Sequence, residues 1–396
     1  MPGYRVTSRA VHTDGGAHLA DAHEGAIVSR LRLLVIGIGA NIWPFHQRGV
    51  DAIGATVVGV TDARHEAAAT RAAELGCPSA DTLDELLGIG ADVAVILAPH
   101  PFHVDLAIRC LEAGLDVLCE KPISENVADA DRMVQAARET GRLLALAFQQ
   151  RTRSEVVRAR QVVAEGSLGE IQRVEVLATW PRRHSYFETS PWRATWQGEG
   201  GGILVNQGQH DLDLLCHLAG APSTVVGRTS ATFHGNETED TATALLGWSN
   251  GAAGTVHVST AEDDEPQRIE ISGTSGRIRI RPGRLEIWRM TLDMRTWAAS
   301  SGDPYERPTA TGPEVYEGGG GTHREIYQNL AAAIDAGASL VASGDDALGA
   351  IELANAITYS SATGREVSLP LDRVGYAELL DRLRSSSRAG VASEMR

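Results

Sequence analysis

From Leu31 the chain alternates short apolar runs with helix-length amphipathic ones, and that alternation restricts the fold more than any other feature. LRLLVIGIG, ATVVGVTD, ADVAVILAP, DVLCEKP and RLLALAFQQ are too short for buried helices and read as strands covered on both faces. A helix around residues 44–53 and helices in RHEAAATRAAELG, HVDLAIRCLEAG and ENVADADRMVQAARETG separate them. Strands and helices alternating at these lengths give a doubly wound parallel sheet, which binds ligands at the carboxyl ends of its strands.

Beyond Gln150 the order changes. A helix in RSEVVRARQVVAEG and the strand QRVEVLATW lead into WPRRHSYFETSPWRATW, a loop dense in aromatic and basic residues, and then into GGGILVNQGQHDLDLLCHLAG, which carries a short helix. STVVGRTSATFH, DTATALLGWS, AAGTVHVSTA, QRIEISG, GRIRIRPG and RLEIWRM follow as successive strands, with Asn250-Gly251 as a hairpin turn because both residues tolerate positive φ. This is an α+β unit with a large, mainly antiparallel open sheet. The segment from about Ser300 to Gly321 is expected to be a loop, with helices near 322–337 and 345–363 after it. The resulting division is a tail over 1–30, a parallel-sheet domain over 31–152, a second domain over 153–373 and a tail over 374–396, with SSSRAGVASEMR frayed.

A chain of 396 residues can bury two cores. Its formal charge of −15 repels phosphate backbones and anionic membranes, so neither nucleic acid nor a membrane surface is an expected partner. Cys77, Cys110, Cys119 and Cys216 form no CxxC pair and read as reduced core residues. No run approaches the roughly 18 apolar residues of a membrane helix, and no export signal is visible, so the expected location is the cytoplasm.

In VIGIGANI, Gly37 and Gly39 fall where a strand turns into a helix, and Asn41 and Ile42 complete the turn. Such a turn lets the backbone approach a pyrophosphate at a positive helix end, although Ile42 replaces the third glycine of G-x-G-x-x-G. Asp62 closes the second strand roughly 20 residues on, where a carboxylate accepts bonds from the ribose hydroxyls and repels a 2′-phosphate. NAD is therefore favoured, and neighbouring Arg64 keeps NADP open. A plain helix-start carboxylate is the other role available to Asp62.

VLCEKPIS ends the fourth strand in Glu120, Lys121 and Pro122. A cis peptide before proline is far less costly than elsewhere and would turn the Lys121 ammonium into the cleft. There it would stabilise alkoxide character on an oxygen whose carbon loses a hydride. Simple pairing of Lys121 with Glu120 is the alternative.

CEKPIS, with upstream APHPFH and downstream GGGILVNQGQHDLD, resembles the glucose–fructose oxidoreductase, inositol dehydrogenase and rhizopine-catabolism family, Gfo/Idh/MocA. The likeness runs from Leu31 to about Asp372, through EDTATALLGWSNGAAGTV and GDDALGAIELANAITYSSATGREVSLPL. It implies a dinucleotide-binding Rossmann domain, with Glu120 on the nicotinamide ribose or carboxamide and Lys121 on the reacting oxygen. It also implies Pro99 and His103 in a cofactor-side loop, and Gln150 and Arg151 close to the nicotinamide. His210 matches the family's catalytic histidine, and Asn206 stands where aspartate is usual, able to orient a histidine but not to charge-stabilise it.

The helix in HDLDLLCHLAG puts Asp213 on the His210 face, where it and Arg151 are candidates for binding substrate, while a merely hydrogen-bonded helix-start role stays open for His210. In the aromatic and basic loop, Arg182, Arg183, Trp192 and Arg193 are candidates for binding substrate and Tyr186 for acid–base work, unless the loop only packs on the sheet edge. His100 and His103 spell H-x-x-H without a third ligand, and EGGGG at 317–321 lacks the Lys-Ser/Thr of a phosphate loop, so no metal is expected and that run reads as a linker.

The resemblance implies an NAD(P)-dependent oxidoreductase that moves a hydride between nicotinamide and a secondary alcohol or ketone of a sugar, cyclitol or related polyol. Lys121 would polarise the oxygen and His210 would shuttle the proton, in a homodimer or homotetramer built on the exposed sheet face. Two readings stay beside it: an NAD-dependent glycosidase using transient internal redox, and a non-enzymatic regulator that senses dinucleotide. A zinc-dependent alcohol dehydrogenase lacks its ligand spacing.

Overall fold

The computed structural model describes residues 31–387 except 191 and 266. The N-terminal stretch with His12, His18 and His23, whose spacings match no metal-ligand set, lies outside the described residues, as does most of SSSRAGVASEMR. The first half alternates as expected: β1 (Arg32–Ile36), α1 (Trp43–Ile53), β2 (Thr56–Thr61), α2 (His65–Leu75), a short α3 (Leu83–Leu87), β3 (Val93–Ile96), α4 (His103–Glu112), β4 (Asp116–Cys119), α5 (Val127–Thr140) and β5 (Leu144–Leu146). The five strands pair in parallel in the order β2-β1-β3-β4-β5. All of β3 and nearly all of β1 and β4 are buried, which is why these strands read as continuous apolar runs. The Lys121–Pro122 peptide that follows β4 is cis.

The second half comprises α6 (Ser154–Ala164), β6 (Ile171–Thr179), α7 (His184–Glu188), α8 (Gln209–Ala219), β7 (Thr224–Ser230), β8 (Thr241–Gly247), β9 (Ala253–Ser259), β10 (Arg268–Gly273), β11 (Gly276–Arg281), β12 (Arg284–Met290), α9 (Met294–Ala299), β13 (Ala310–Glu317), α10 (His323–Ala336), α11 (Gly344–Thr363), β14 (Val367–Ser368) and α12 (Arg373–Ser386). Its nine strands run β13-β12-β11-β10-β6-β9-β8-β7-β14, antiparallel except for the β6–β9 pair. Helices α6, α8 and α11 cover one face. On the other face, register aligns Val226, Leu245, Thr255, Glu175, Glu270 and Arg279 in one cross-strand row.

Helix α10 returns to the parallel sheet and packs on α1, where Gly49 leaves room for the Tyr327 ring that any Cβ would overlap. The backbone of Leu146 also bonds to Ala342, so the C-terminal segment borders the β5 edge. Both cross-connections bring distant sequence to the carboxyl ends of the parallel strands.

Two expectations fail. The segment 300–321 is not all loop, because β13 pairs antiparallel with β12. Every residue of β13 is exposed, so it carries no inward/outward alternation, and Pro313 sits at a register shift on this edge strand where no ladder donor is needed. The tail expected over 374–396 begins instead as α12, with Tyr376, Leu379 and Leu380 buried and Arg384 paired with Glu125. Tyr376, Leu379, Leu380 and Leu383 recur at helical spacing, so the signal was present.

Leu380 is buried in this helix's contact with the core. Leu380→Ala is expected to destabilise the protein by about 2–5 kcal/mol, read as a lower urea midpoint, whereas a frayed tail would give no change.

Candidate active site

The dinucleotide end is built from glycine and one carboxylate. Gly37 has φ +81° and lies so close to the next strand that a Cβ would stand 2.7 Å from the Ala98 nitrogen. A Cβ on Gly39 would stand 2.8 Å from Asp62 Oδ2, which instead accepts the Gly39 N–H at 2.8 Å. Helix α1 starts without a side-chain cap and without an acidic residue in its first turn, because Ile42 at the N-cap has no oxygen to offer. In its first turn the Trp43 and Phe45 N–H groups donate to the Ala40 and Ile42 carbonyls, both at 3.0 Å, and Pro44 has no N–H.

Arg64 donates to Asp62 Oδ1 from its backbone at 2.9 Å and to the Gly39 carbonyl from Nη2 at 2.7 Å, with its side chain 69% exposed. It therefore spans the mouth of the ribose position. These residues fit a dinucleotide: a close-approach glycine turn and a carboxylate at the second strand end.

At the end of β4, Glu120 is committed to the protein. Its Oε1 accepts from His46 Nε2 at 2.9 Å and His323 Nε2 at 3.0 Å, and its Oε2 accepts the Lys121 N–H at 3.2 Å. Burial pushes the Glu120 carboxyl up, but the bonds from His323 and His46 prevail and hold it well below its ordinary range. His46 Nδ1 in turn meets the Tyr327 hydroxyl at 3.0 Å. Three potential ligand atoms of His46, Glu120 and His323 thus lie within 4.8 Å of one another. Sequence spacing did not disclose this cluster, and the His100/His103 pair takes no part in it.

Lys121 Nζ donates to the Asn206 carbonyl at 3.1 Å, with Asn206 Oδ1 at 3.5 Å. Burial lowers the ammonium pKa from its ordinary value, against the opposing pull of Glu120 and Glu199. His210 lies near the start of α8, its ring edge-on to Phe148 at 6.0 Å and its Nδ1 buried without a hydrogen-bond partner among the described residues. Burial and then the Lys121 charge push its pKa down to about 3, so the ring is neutral near pH 7. The Asn206 side chain bonds Lys121 and Glu199 rather than His210, which it was expected to orient.

The aromatic and basic loop folds on itself beside this centre. Tyr186 is flanked by Arg182 at 5.1 Å and Arg193 at 4.5 Å, and its hydroxyl accepts from Arg193 Nη1 at 2.6 Å and Gln207 Nε2 at 2.9 Å. Trp192 stands edge-on to His100 at 5.5 Å. Both Arg182 and Arg193 act electrostatically on Lys121. Arg183 is exposed and stands outside these contacts.

Three further sets of expected site residues are engaged by the protein itself. Arg151 and Asp213, expected on substrate, grip each other through two bonds of 2.8 and 2.6 Å, with side chains 2% and 1% exposed. Charges buried so deeply must be paired, and this pair is a pin between chain segments. His103, expected on the cofactor, turns Nδ1 to the Pro122 carbonyl at 2.7 Å and Nε2 to the Ala98 carbonyl at 2.8 Å, strapping the loops on either side of Pro99 and Lys121. Gln150, expected near the nicotinamide, is buried and accepts from Gln267 Nε2 at 3.1 Å in a chain that continues to Asp211.

Residues 31–148 match the family model described as oxidoreductase family, NAD-binding Rossmann fold, and residues 156–279 match the GFO/IDH/MocA C-terminal domain. Together the two cover more than half of the chain, which belongs to the GFO/IDH/MocA family. It is 27% identical over 356 residues to inositol 2-dehydrogenase of Rhizobium meliloti (strain 1021), covering 86% of this chain and 99% of that relative. Over 311 residues it is 25% identical to scyllo-inositol 2-dehydrogenase (NADP(+)) of Bacillus subtilis (strain 168), covering 74% and 84%. The solved WlbA dehydrogenase of Bordetella pertussis, in complex with NADH and UDP-GlcNAcA, superposes with a TM-score of 0.75 at 26% identity, covering 87% of this chain and 98% of that one.

Arg151→Ala leaves Asp213 buried without its cation, so the expected loss is about 3–5 kcal/mol of stability. Chemical denaturation measures it, and dinucleotide affinity of the folded variant stays at the wild-type value; a weakened cofactor Kd would return Arg151 to the binding site.

Proposed function

We propose that the protein is an NAD(P)-dependent dehydrogenase that moves a hydride between nicotinamide and a secondary alcohol or ketone of a sugar, cyclitol or related polyol. The observation that carries this is a part-buried ammonium, Lys121, at the carboxyl edge of a parallel sheet, next to a histidine that is neutral near pH 7. The names of the relatives support the substrate class.

When bound, NAD(P) supplies the hydride acceptor. On the protein's side, Lys121 donates a hydrogen bond to the substrate oxygen as negative charge builds on it, and His210 takes the hydroxyl proton. The stacked Tyr186, Trp192, Arg182 and Arg193 offer flat faces and hydrogen-bond donors to a polyol ring. Glu120, fixed by two histidines, holds the strand end from which Lys121 projects. Val226 and Leu245, cross-strand partners exposed on the uncovered sheet face, support a homodimer or homotetramer through that face. Among the described residues no helix is long and apolar enough to cross a membrane.

The test is NADH formation with NAD and a panel of cyclitols, aldoses, glycosides and nucleotide sugars. Lys121→Met is expected to lower kcat by about 10²- to 10⁴-fold while NAD affinity is kept. NAD binding without net NADH on any panel member would sink the dehydrogenase reading in favour of a glycosidase with internal redox. For the cofactor, Asp62→Ala is expected to lower the NAD-over-NADP preference in kcat/KM by about tenfold or more; an unchanged ratio would show that Asp62 does not discriminate.

A further inference from the structure

Both oxygens of Asn206 face the Lys121 ammonium, but an amide brings no negative charge to it. A carboxylate stands directly behind the amide. Asn206 Nδ2 donates to Glu199 Oε1, while the two oxygens of Asn206 face Lys121 Nζ at 3.1 and 3.5 Å. Glu199 is 2% exposed, and its Oε2 accepts the Ala194 N–H at 2.7 Å. Ala194 has φ +54°, the one non-glycine residue with positive φ among those described. The loop thus carries an unfavourable backbone conformation at the residue that fixes Glu199.

The sequence explains why this carboxylate is deep. Glu199 opens the glycine run 200–202, which threads between two other acids: a Cβ on Gly200 would stand 2.6 Å from the Glu125 side chain, and one on Gly202 would overlap the Glu239 backbone. Glu125 has its own cation in Arg384, and Glu239 Oε1 accepts from the Gly202 and Leu204 nitrogens at 2.9 and 3.0 Å. Glu199 has no cation in direct contact among the described residues. Its favourable charges are Arg193, from the aromatic loop, and Lys121, at the end of β4, with Glu125 and Glu239 as the opposing acids.

We propose that Glu199 is a positioning residue of the reaction centre, which acts through Asn206 to aim Lys121 and supplies the negative charge that Asn206 lacks. The amide serves as a rigid spacer: its Nδ2 is held by the carboxylate, which leaves its oxygen turned to the ammonium. Burial raises the Glu199 pKa, and the Ala194 N–H, Arg193, Asn206 and Lys121 oppose that rise. The sign for Lys121 follows directly. Glu199 raises the Lys121 pKa, so removing its charge lowers it, and adding a carboxylate at 206 raises it.

The inference rests on the dehydrogenase reading, and its test is independent of turnover. The pH dependence of Lys121 acetylation by acetic anhydride, read by mass spectrometry on the full chain, reports the lysine pKa directly. In Glu199→Gln the labelling midpoint is expected to fall by about one pH unit, and in the double variant Glu199→Gln, Asn206→Asp it is expected to return to the wild-type value. Where substrate is turned over, the alkaline limb of kcat/KM moves the same way. A folded Glu199→Gln with an unmoved midpoint overturns the proposal. Should Glu199→Gln not fold, Asn206→Asp alone decides, since the midpoint must then rise and an unmoved value overturns it. A shifted midpoint in a protein that oxidises nothing would keep this inference and discard the dehydrogenase.

Discussion

A part-buried ammonium and a part-buried carboxylate at one strand end have to be satisfied by the protein, and much of the structure around β4 follows from doing so. Lys121 and Glu120 are adjacent in sequence yet find separate partners: two histidines for the acid, an asparagine carbonyl for the base. Direct mutual neutralisation would leave the lysine with nothing to offer a substrate. Distributing the charges keeps Glu120 anionic without occupying the Lys121 head group, and burial then lowers the lysine toward the range where a hydrogen-bond donor is most effective.

Those partners come from far away in the chain. His46 lies on α1 and Tyr327 on α10, 281 positions apart, and His323 is 203 positions from Glu120. The α1–α10 contact that unites them depends on a glycine at position 49, where the absence of a side chain admits the Tyr327 ring. A packing decision in the outer layer of the parallel sheet therefore sets the charge of a residue at its ligand-binding edge. The Arg151–Asp213 pin and the His103 strap act in the same way: each ties together separate chain segments near the carboxyl ends of the parallel strands.

On the opposite side, the glycine-rich turn between the aromatic loop and α8 is lined by three buried acids: its own Glu199, Glu125 from the chain after β4 and Glu239 from the chain before β8. Burial drives the Glu125 and Glu239 carboxyls up to about 7, with the cation Arg384 and backbone N–H groups opposing the rise. Arg384 belongs to α12, so the terminal helix contributes charge balance as well as apolar burial to the ground on which Asn206 stands.

Local signals made the fold legible. Apolar runs, glycine turns and Asn250-Gly251 depend on residues within a few positions of one another, and the five parallel strands, the Gly37–Gly39 turn, Asp62 and the Glu120-Lys121-Pro122 strand end could all be read from them. The edge strand β13 escaped because a strand exposed on both faces has no reason to alternate. Side-chain partnership was not legible. Nothing in HDLDLLCHLAG tells that Asp213 turns away to Arg151, and nothing in QGEGGG tells that Glu199 turns in to Asn206. A charged side chain on a helix or loop carries no local mark of the residue that will neutralise it. The sequence by itself determined which segments become strands and helices and which reactive groups reach the sheet edge, since those follow from periodicity and backbone preference. Tertiary structure alone decided which charges pair and which remain available for chemistry, because that depends on desolvation among residues hundreds of positions apart.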